Sequence, residues 1–262
     1  MASELPPALQ ARIDAIRADR VHGAVFLATE TAETLAAAAD LGVSVGFLQH
    51  AAEAIRDAQP AMAPLANLAD LVRANTDAAR LAESCREFAA RLRDAGRRIA
   101  ELASGLITDG ATVLTHSASG TVRDALLAAH GAGTAFRVIV TESRPMLEGA
   151  ALAEELKRQG IPTTVIGDEE MERFVGEADI VLVGADSVCP DGLVNKKGTA
   201  ALALVARACR KPIYALCSTA KFRGETPGEL PPDFDSTPLG HLTGIVTEDG
   251  IAAPARRQDA VK

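Results

Sequence analysis

An apolar run, Ile180 to Val183, leads through Gly184-Ala185 into a carboxylate, Asp186. A turn at Asp191-Gly192 follows. Asn195-Lys196 then stands at the approach to a helix predicted over 197–210. A buried strand that ends on an acid, with a cation a few residues on, suits the carboxyl edge of an open α/β sheet, where such sheets bind ligands. Desolvation there favours a raised carboxyl pKa and general acid–base work, and the cation suits a phosphorylated ligand. The plainer reading of Asp186 is a turn-forming aspartate bonded to nearby backbone.

Other segments place chemistry at the same edge. Thr115-His116-Ser117-Ala118-Ser119-Gly120 ends one predicted strand and opens a helix. Its small residues allow backbone N–H groups to approach an anion, helped by the helix dipole. Equally, Ser117 or Ser119 is an ordinary N-cap, and His116 is either a catalyst or a core histidine bonded to backbone. Thr141-Glu142-Ser143-Arg144-Pro145 ends a second strand. Arg144 could bind phosphate through its planar fork or pair structurally with Glu142, and Pro145 fits the first position of a helix. Lys196 and Lys197 suit either an anion at a helix start or a solvated face. Lys221 adds a cation after a later strand.

The elements that must position these residues follow from periodicity. Up to about residue 105, apolar residues recur at helical spacing. Helices are predicted at roughly 6–19, 23–40, 43–58, 65–79 and 80–104, with breaks at Gly42 and between Pro60 and Pro64. From there the rhythm is strand, then helix. Short β-branched runs predict strands at 111–115, 135–141, 162–166, 179–184, 212–217 and 243–247, buried on both faces. Helices are expected at about 120–130, 146–159, 168–176 and 197–210. Such alternation predicts a parallel sheet with right-handed crossovers. The fold class is therefore α/β: a helical N-terminal domain, 1–105, followed by a Rossmann-like parallel-sheet ligand-binding domain, 106–262. Pro227, Pro231, Pro232 and Pro238 mark 223–240 as a long loop, a functional or mobile feature in a compact domain. The tail after Pro254 is expected to fray.

Composition narrows the function classes. The 262 residues carry a formal net charge of −8, against the basic footprint of non-specific nucleic-acid binding. Aromatic residues are 3% with no Trp, which disfavours a base-stacking platform. No apolar run is long enough to span a bilayer, and no signal-peptide pattern opens the chain. Cys85, Cys189, Cys209 and Cys217 have no C-x-x-C pairing and no metal-ligand spacing with the histidines. Reduced thiols in a cytoplasmic protein without metal or redox cofactor are the simplest expectation.

The ordered set Leu114-Thr115-His116, Thr141-Glu142-Ser143-Arg144-Pro145 with Glu148-Gly149, Val183-Gly184-Ala185-Asp186 and Asn195-Lys196-Lys197-Gly198-Thr199 resembles one family. Pro212-Ile213-Tyr214 and Lys221-Phe222 extend it. That family joins the regulatory subunits of eukaryotic translation initiation factor 2B to methylthioribose-1-phosphate isomerase and ribose-1,5-bisphosphate isomerase. The resemblance covers about His22 to the last strand. It implies a helical N-terminal domain, a Rossmann-like C-terminal domain, a homodimer and a phosphorylated small-molecule ligand. Asp186, Asn195, Lys196 and Lys221 match its pattern. Three positions depart from it. Ser117 stands where the isomerases carry a cysteine after Thr-His. His22 stands where they carry a phosphate-holding arginine before Gly23-Ala24. Gln59 stands where another arginine precedes a proline, here Pro60.

A thiol exchanges a proton near neutrality far more readily than a serine hydroxyl. Ser117 would need strong activation, and His116 is the nearest candidate in sequence. Three readings follow. One is an aldose–ketose isomerase of a phosphorylated sugar or related metabolite. Asp186 and Ser117 would be its catalytic pair. His22, Gly23, Ala24, Gln59, His116, Ser119, Arg144, Asn195, Lys196 and Lys221 would bind substrate. The second is a non-catalytic sugar-phosphate-binding regulatory subunit resembling the initiation factor's alpha subunit. The third is a different enzyme on the same scaffold, acting on a ligand with less phosphate.

Overall fold

The computed structural model describes residues 7–19, 21–226 and 228–253. The tail after Pro254, expected to fray, lies outside them. The chain forms two compact units, Met1–Asp94 and Ala95–Lys262. The expected boundary near 105 marks the end of a long helix, and the units divide inside that helix.

The first unit contains helices α1 (Pro7–Ala18), α2 (Ala24–Asp40), α3 (Val45–Ala58), α4 (Ala63–Ala74) and the opening turns of α5 (Ala78–Ser104). Their apolar stripes supply a core that includes Leu27, Leu35, Leu48, Ile55, Leu65, Leu68 and Leu81, each at most 2% exposed. Fully burying such a side chain is worth about 1.5–3 kcal/mol. Gly42 closes α2 at φ +79, a left-handed conformation that glycine adopts without steric cost. Helix α4 ends at Ala74, before the predicted 79. There the Asn75 side chain donates back to the Leu71 carbonyl, and the chain leaves in extended conformation.

The second unit is a doubly wound sheet. Strands β1 (Thr112–His116), β2 (Arg137–Thr141), β3 (Thr163–Ile166) and β4 (Ile180–Val183) are followed by β5 (Ser187–Cys189), β6 (Gly192–Lys196), β7 (Ile213–Leu216), β8 (Phe234–Thr237), β9 (Gly244–Thr247) and β10 (Gly250–Ala252). Helices α6 (Gly120–Gly131), α7 (Glu148–Arg158), α8 (Met171–Val175) and α9 (Thr199–Ala208) lie between them. Seven strands pair in the order β10-β9-β7-β4-β1-β2-β3, all parallel except the β10 edge. Alternate strand residues bury on opposite faces. Val113, Val138 and Leu182 pack in one layer with Ile99 of α5, Leu126 of α6 and Leu156 of α7. Leu114, Ile139 and Val181 pack in the other with Val175 of α8 and Leu202 of α9.

Three expectations need correction. Asn195 and Lys196 end an unforeseen strand, β6, and the helix they approach begins at Thr199 rather than 197. Residues β5-β6-β8 form a separate three-stranded antiparallel sheet. The Pro-rich 223–240 stretch is therefore not wholly loop, because β8 pairs along β6 from Leu193–Thr237 to Lys196–Phe234. Pro145 is not the first residue of a helix. It sits in a turn reached through a cis Arg144-Pro145 bond, and α7 begins at Glu148.

Candidate functional site

The strand order reverses at β1. The chain runs outward from β1 to β2 and β3, then returns to β4 on the other side. The crevice at the carboxyl ends of β1 and β4 is thus the topological switch point, the usual ligand position in an open parallel sheet. The residues leaving those strands are His116-Ser117 and Gly184-Ala185-Asp186.

Ser117 is nearly buried and holds φ +61, a left-handed conformation uncommon for a residue with a Cβ. Such strain clusters at functional turns. Two residues on, the Ser119 hydroxyl caps α6 by accepting from Val122 N–H at 3.4 Å. Ser119 is thus the N-cap anticipated for this turn. Opposite it, a Cβ on Gly184 would stand 2.5 Å from Ser119 Oγ and 3.7 Å from Asn195 Oδ1. Glycine there lets the turns after β1 and β4, and the end of β6, approach one another.

Asp186 is half-buried, and its N–H donates to the Val194 carbonyl at 2.8 Å, which ties it to β6. Lys221 is 4% exposed, and its ammonium donates to the carbonyl of Ala185, the residue before Asp186. The lysine anticipated as a ligand anchor therefore grips the backbone that carries the acid. Burial pushes the neighbouring Cys217 thiol up to about 12, although the Lys221 charge opposes it. That thiol is not a ready nucleophile.

His116 is 2% exposed and commits both ring nitrogens. Parallel register sets it beside Thr141, and Nδ1 lies 2.6 Å from Thr141 Oγ1. Nε2 lies 2.8 Å from the Lys197 carbonyl oxygen, which can only accept. Nε2 must therefore carry the proton, and Nδ1 of the neutral ring accepts from the Thr141 hydroxyl. Thr141 then accepts from Ser143 Oγ at 3.4 Å. Desolvation holds the His116 pKa below its ordinary value, against the opposing bond to Lys197. His116 is a neutral, bonded core histidine here. It is not the base that would activate Ser117, as its sequence position suggested.

The loop after β2 is clamped by the Asp168 carboxylate, which accepts from the backbone N–H groups of Ser143 at 2.9 Å and Arg144 at 2.8 Å. The Arg144 side chain is 70% exposed and pairs with Glu142 at 2.5 Å. The structural ion pair is thus present. Gly149 is required here because an added Cβ would overlap the Thr141 carbonyl. That close approach seats α7 on the end of β2.

Asn195 is buried, and its Nδ2 donates to Thr199 Oγ1 at 3.0 Å. Lys196 pairs with Glu148 at 2.7 Å, both side chains about 15% exposed (14% and 15%). The other carboxylate oxygen of Glu148 is buried with no hydrogen-bond partner. The start of α9, read as an anion site, is already capped. Asp235 accepts from Gly198 N–H at 2.7 Å and from Ala200 N–H at 3.3 Å. Burial raises the Asp235 pKa, with those two N–H groups opposing it.

In the first unit, His22 and Gln59 both bond to a residue that the sequence reading missed, Asp19. Its carboxylate accepts from the N–H groups of Val21 and His22 and lies 2.7 Å from His22 Nδ1. Its carbonyl accepts from Gln59 Nε2 at 2.5 Å. Burial raises the Asp19 pKa, but the hydrogen bonds from His22 and Val21 outweigh it and leave the group below its usual value. Gly23 is the N-cap of α2 and Ala24 its buried first residue. Asp19, Asp168 and Asp235 are the partners that were missed. Only Asp19, three residues before His22, lay close enough in sequence to signal its role.

Among the described residues, no group of three or more His, Cys, Asp or Glu is placed to hold a metal, and no helix is long and apolar enough to cross a membrane.

Known proteins are similar to this chain over most of its length. A Pyrococcus horikoshii protein described as translation initiation factor eIF-2B subunit 2-like is 36% identical over 92% of this chain and 95% of its own. A ribose 1,5-bisphosphate isomerase of Archaeoglobus fulgidus is 32% identical over 91% of this chain and 88% of its own. The crystal structure of the P. horikoshii OT3 translation initiation factor eIF-2B superposes with a TM-score of 0.86 at 34% identity, covering 96% of this chain and 99% of that one. Residues 20–230 match the model of the Initiation factor 2 subunit family, and the chain belongs to that family.

Proposed function

We propose that this protein is a sugar-phosphate isomerase that interconverts an aldose and a ketose phosphate. The observation that carries the proposal is the position of Asp186. It leaves β4 at the switch point, with its backbone gripped by Lys221 and by β6. Similarity to the A. fulgidus ribose 1,5-bisphosphate isomerase supports the same reaction class.

In this reading Asp186 takes the C2 hydrogen as a proton while the C1–ring-oxygen bond breaks and the ring oxygen takes a proton from water. The enol then recovers the proton at C1 from Asp186, and its C2 hydroxyl gives a proton to the hydroxide left by that water to yield the ketose. Ser117 sits where the second proton carrier belongs. With His116 bonded away from it, its hydroxyl is a weak acid without a base. It orients the ring oxygen rather than carrying charge, so turnover is slow compared with a thiol-bearing isomerase. Asn195 contacts sugar hydroxyls, and Lys196 meets the phosphate alongside Glu148. A homodimer completes the proposal and is checked by light scattering on the eluting protein.

The test is a thermal-shift screen with ribose 1,5-bisphosphate and methylthioribose 1-phosphate, with NMR of the same mixtures. A ligand at 100 times its Kd stabilises by about 2.7 kcal/mol. Turnover should be lost in Asp186→Asn, and unchanged turnover would sink the mechanism. One observation favours a second reading, a ligand-sensing regulatory subunit. The bonded-away His116 leaves Ser117 without the base anticipated for it. That reading expects stabilisation without product.

A further inference from the structure

The turn that joins β6 to α9 is held from three directions. From β8, the Asp235 carboxylate accepts from Gly198 N–H at 2.7 Å and Ala200 N–H at 3.3 Å. His116 holds the Lys197 carbonyl, and Gly198 lies against that ring at φ +111, where an added Cβ would stand 2.8 Å from Nε2. Thr199, fully buried, closes the turn from inside. Its hydroxyl donates to the Lys196 carbonyl at 2.6 Å and lies 3.0 Å from the Asn195 amide. A carbonyl only accepts, so the one hydroxyl proton goes there. Towards Asn195 the hydroxyl oxygen then accepts, and Asn195 must turn Nδ2 to it. Asn195 is 7% exposed, and its Oδ1 has no hydrogen-bond partner among the described residues. That oxygen and Ser119 Oγ both flank Gly184, 3.7 Å and 2.5 Å from where a Cβ would stand. An unbonded acceptor on a nearly buried side chain is thus placed at the switch-point crevice, beside the turns after β1 and β4.

We propose that Thr199, seated by Asp235, is a positioning residue that fixes the Asn195 amide with Oδ1 towards the crevice, so that this position recognises a ligand group able to donate a hydrogen bond. The inference rests on the proposed sugar-phosphate reading for the identity of the ligand, and it specifies which part of that ligand Asn195 takes. A fully ionised phosphate offers only acceptors and gains nothing from Oδ1, whereas a sugar hydroxyl donates to it. A nearly buried acceptor left unbonded is costly, and a ligand hydroxyl relieves that cost. The preference depends on the orientation of the amide. Turned over, it would present Nδ2–H and suit a phosphate oxygen instead. Thr199 prevents that, because its own proton is committed to the Lys196 carbonyl. Asp235 in turn fixes Thr199, because it holds the N–H groups on either side of it.

The experiment follows the Asn195 side-chain amide by 1H–15N correlation in the full chain, with Kd for ribose 1,5-bisphosphate measured in parallel. Wild type should show one Nδ2 proton protected from solvent exchange by its bond to Thr199. Thr199→Val keeps the shape and removes the hydroxyl. It should lose that protection and weaken binding by roughly tenfold, the loss of one directed hydrogen bond. Thr199→Ser should restore both. Asp235→Asn should shift the same Asn195 resonances and give an intermediate Kd, which keeps the test decisive if Thr199→Val does not fold. The Thr199→Val loss should vanish in an Asn195→Ala background, because the effect acts through that amide. A wild-type amide whose two protons exchange equally fast overturns the proposal. So does a Thr199→Val loss of equal size in the Asn195→Ala background, which would mark a general structural role. Failure of wild type to bind the bisphosphate overturns the sugar-phosphate reading instead, and the Asn195 resonances still decide whether Thr199 orients the amide.

Discussion

His22 and His116 are both bonded through Nδ1, yet their surroundings give them opposite uses. His116 is 2% exposed and spends both nitrogens on neutral groups, the Thr141 hydroxyl and the Lys197 carbonyl. His22 has a half-exposed ring and spends one nitrogen on a carboxylate. Burial among neutral partners disfavours the imidazolium and makes a histidine a structural crosslink. Exposure beside an acid leaves the ring tethered at one nitrogen and half in solvent. The contrast extends to the rest of each region. At the switch point, polar groups brace one another and hold Asp186 in place. Around Asp19, the bonded His22 ring stays half-exposed.

The largest effect that tests this contrast comes from backbone proximity at the braced site. Gly149→Ala puts a Cβ into the Thr141 carbonyl, and neither the strand nor α7 can yield without losing register. We expect a loss of about 3 kcal/mol or more in urea unfolding. Gly23→Ala, at the open site, meets nothing within 4 Å and should change stability by no more than about 0.5 kcal/mol. Comparable losses at the two glycines would erase the distinction between a braced and an open region.

Next in size is His116 itself. His116→Leu leaves the Thr141 hydroxyl proton without its acceptor and the Lys197 carbonyl without its donor, at about 1–3 kcal/mol each if no water reaches them. The pH dependence has a definite sign. The folded pKa of His116 lies below the unfolded value of about 6.5. Between the two values the unfolded chain binds more protons, so stability rises with pH through that window. It is complete above about 6.5 and declines as pH falls towards the folded pKa, by up to about 1.4 kcal/mol per pH unit. Asp235 works in the opposite sense. Its folded pKa is raised above the ordinary 3.8, so its contribution falls as pH rises through the interval above 3.8. Unfolding of His116→Leu across pH 5 to 7 should show a flatter slope than wild type. An unchanged slope would assign the dependence to another group.

Smaller again is the thiol contrast. Burial pushes Cys85 and Cys217 up to about 12, while Cys209 is exposed. A disulfide reagent at neutral pH should label Cys209 first and reach Cys217 only on unfolding. Rapid labelling of Cys217 in the folded protein would show that the end of β7 opens more readily than its packing allows.

Periodicity made the main architecture legible. Ile180–Val183 and Arg137–Thr141 are short apolar runs whose alternate residues bury on both faces, and such strands announce themselves. The second sheet did not. Gly192–Lys196 reads as a turn followed by polar residues, and its partner β8 lies some forty residues on among prolines. Pairing at that distance leaves no local pattern. The site divides in the same way. Asp186, Ser119 and Lys221 stood at recognisable strand ends. What those positions touch was hidden, because the bond from Ser143 to Asp168 spans 25 residues and that from Gly198 to Asp235 spans 37. Residue type and strand position indicate which groups reach an edge. The hydrogen-bond partners that decide whether each group is available come from elsewhere in the chain.

Arg144 is where that availability is most easily tested, and where the smallest stability effect is expected. Its guanidinium is exposed and pairs with Glu142, while its backbone N–H is held independently by Asp168. Removing the side chain leaves the loop clamp intact, and an exposed ion pair of this kind adds little to stability. Arg144→Ala should therefore unfold at the wild-type temperature. Two outcomes for ligand binding then separate the roles open to it from sequence. If Arg144 only pairs with Glu142, the affinity for ribose 1,5-bisphosphate is unchanged. If it swings from Glu142 to a phosphate, affinity falls with no change in melting temperature, and the salt dependence of binding weakens with it because one charged contact has gone. A fall in melting temperature would contradict the clamp. It would show that the Asp168 carboxylate cannot hold the loop after β2 without the arginine beside it.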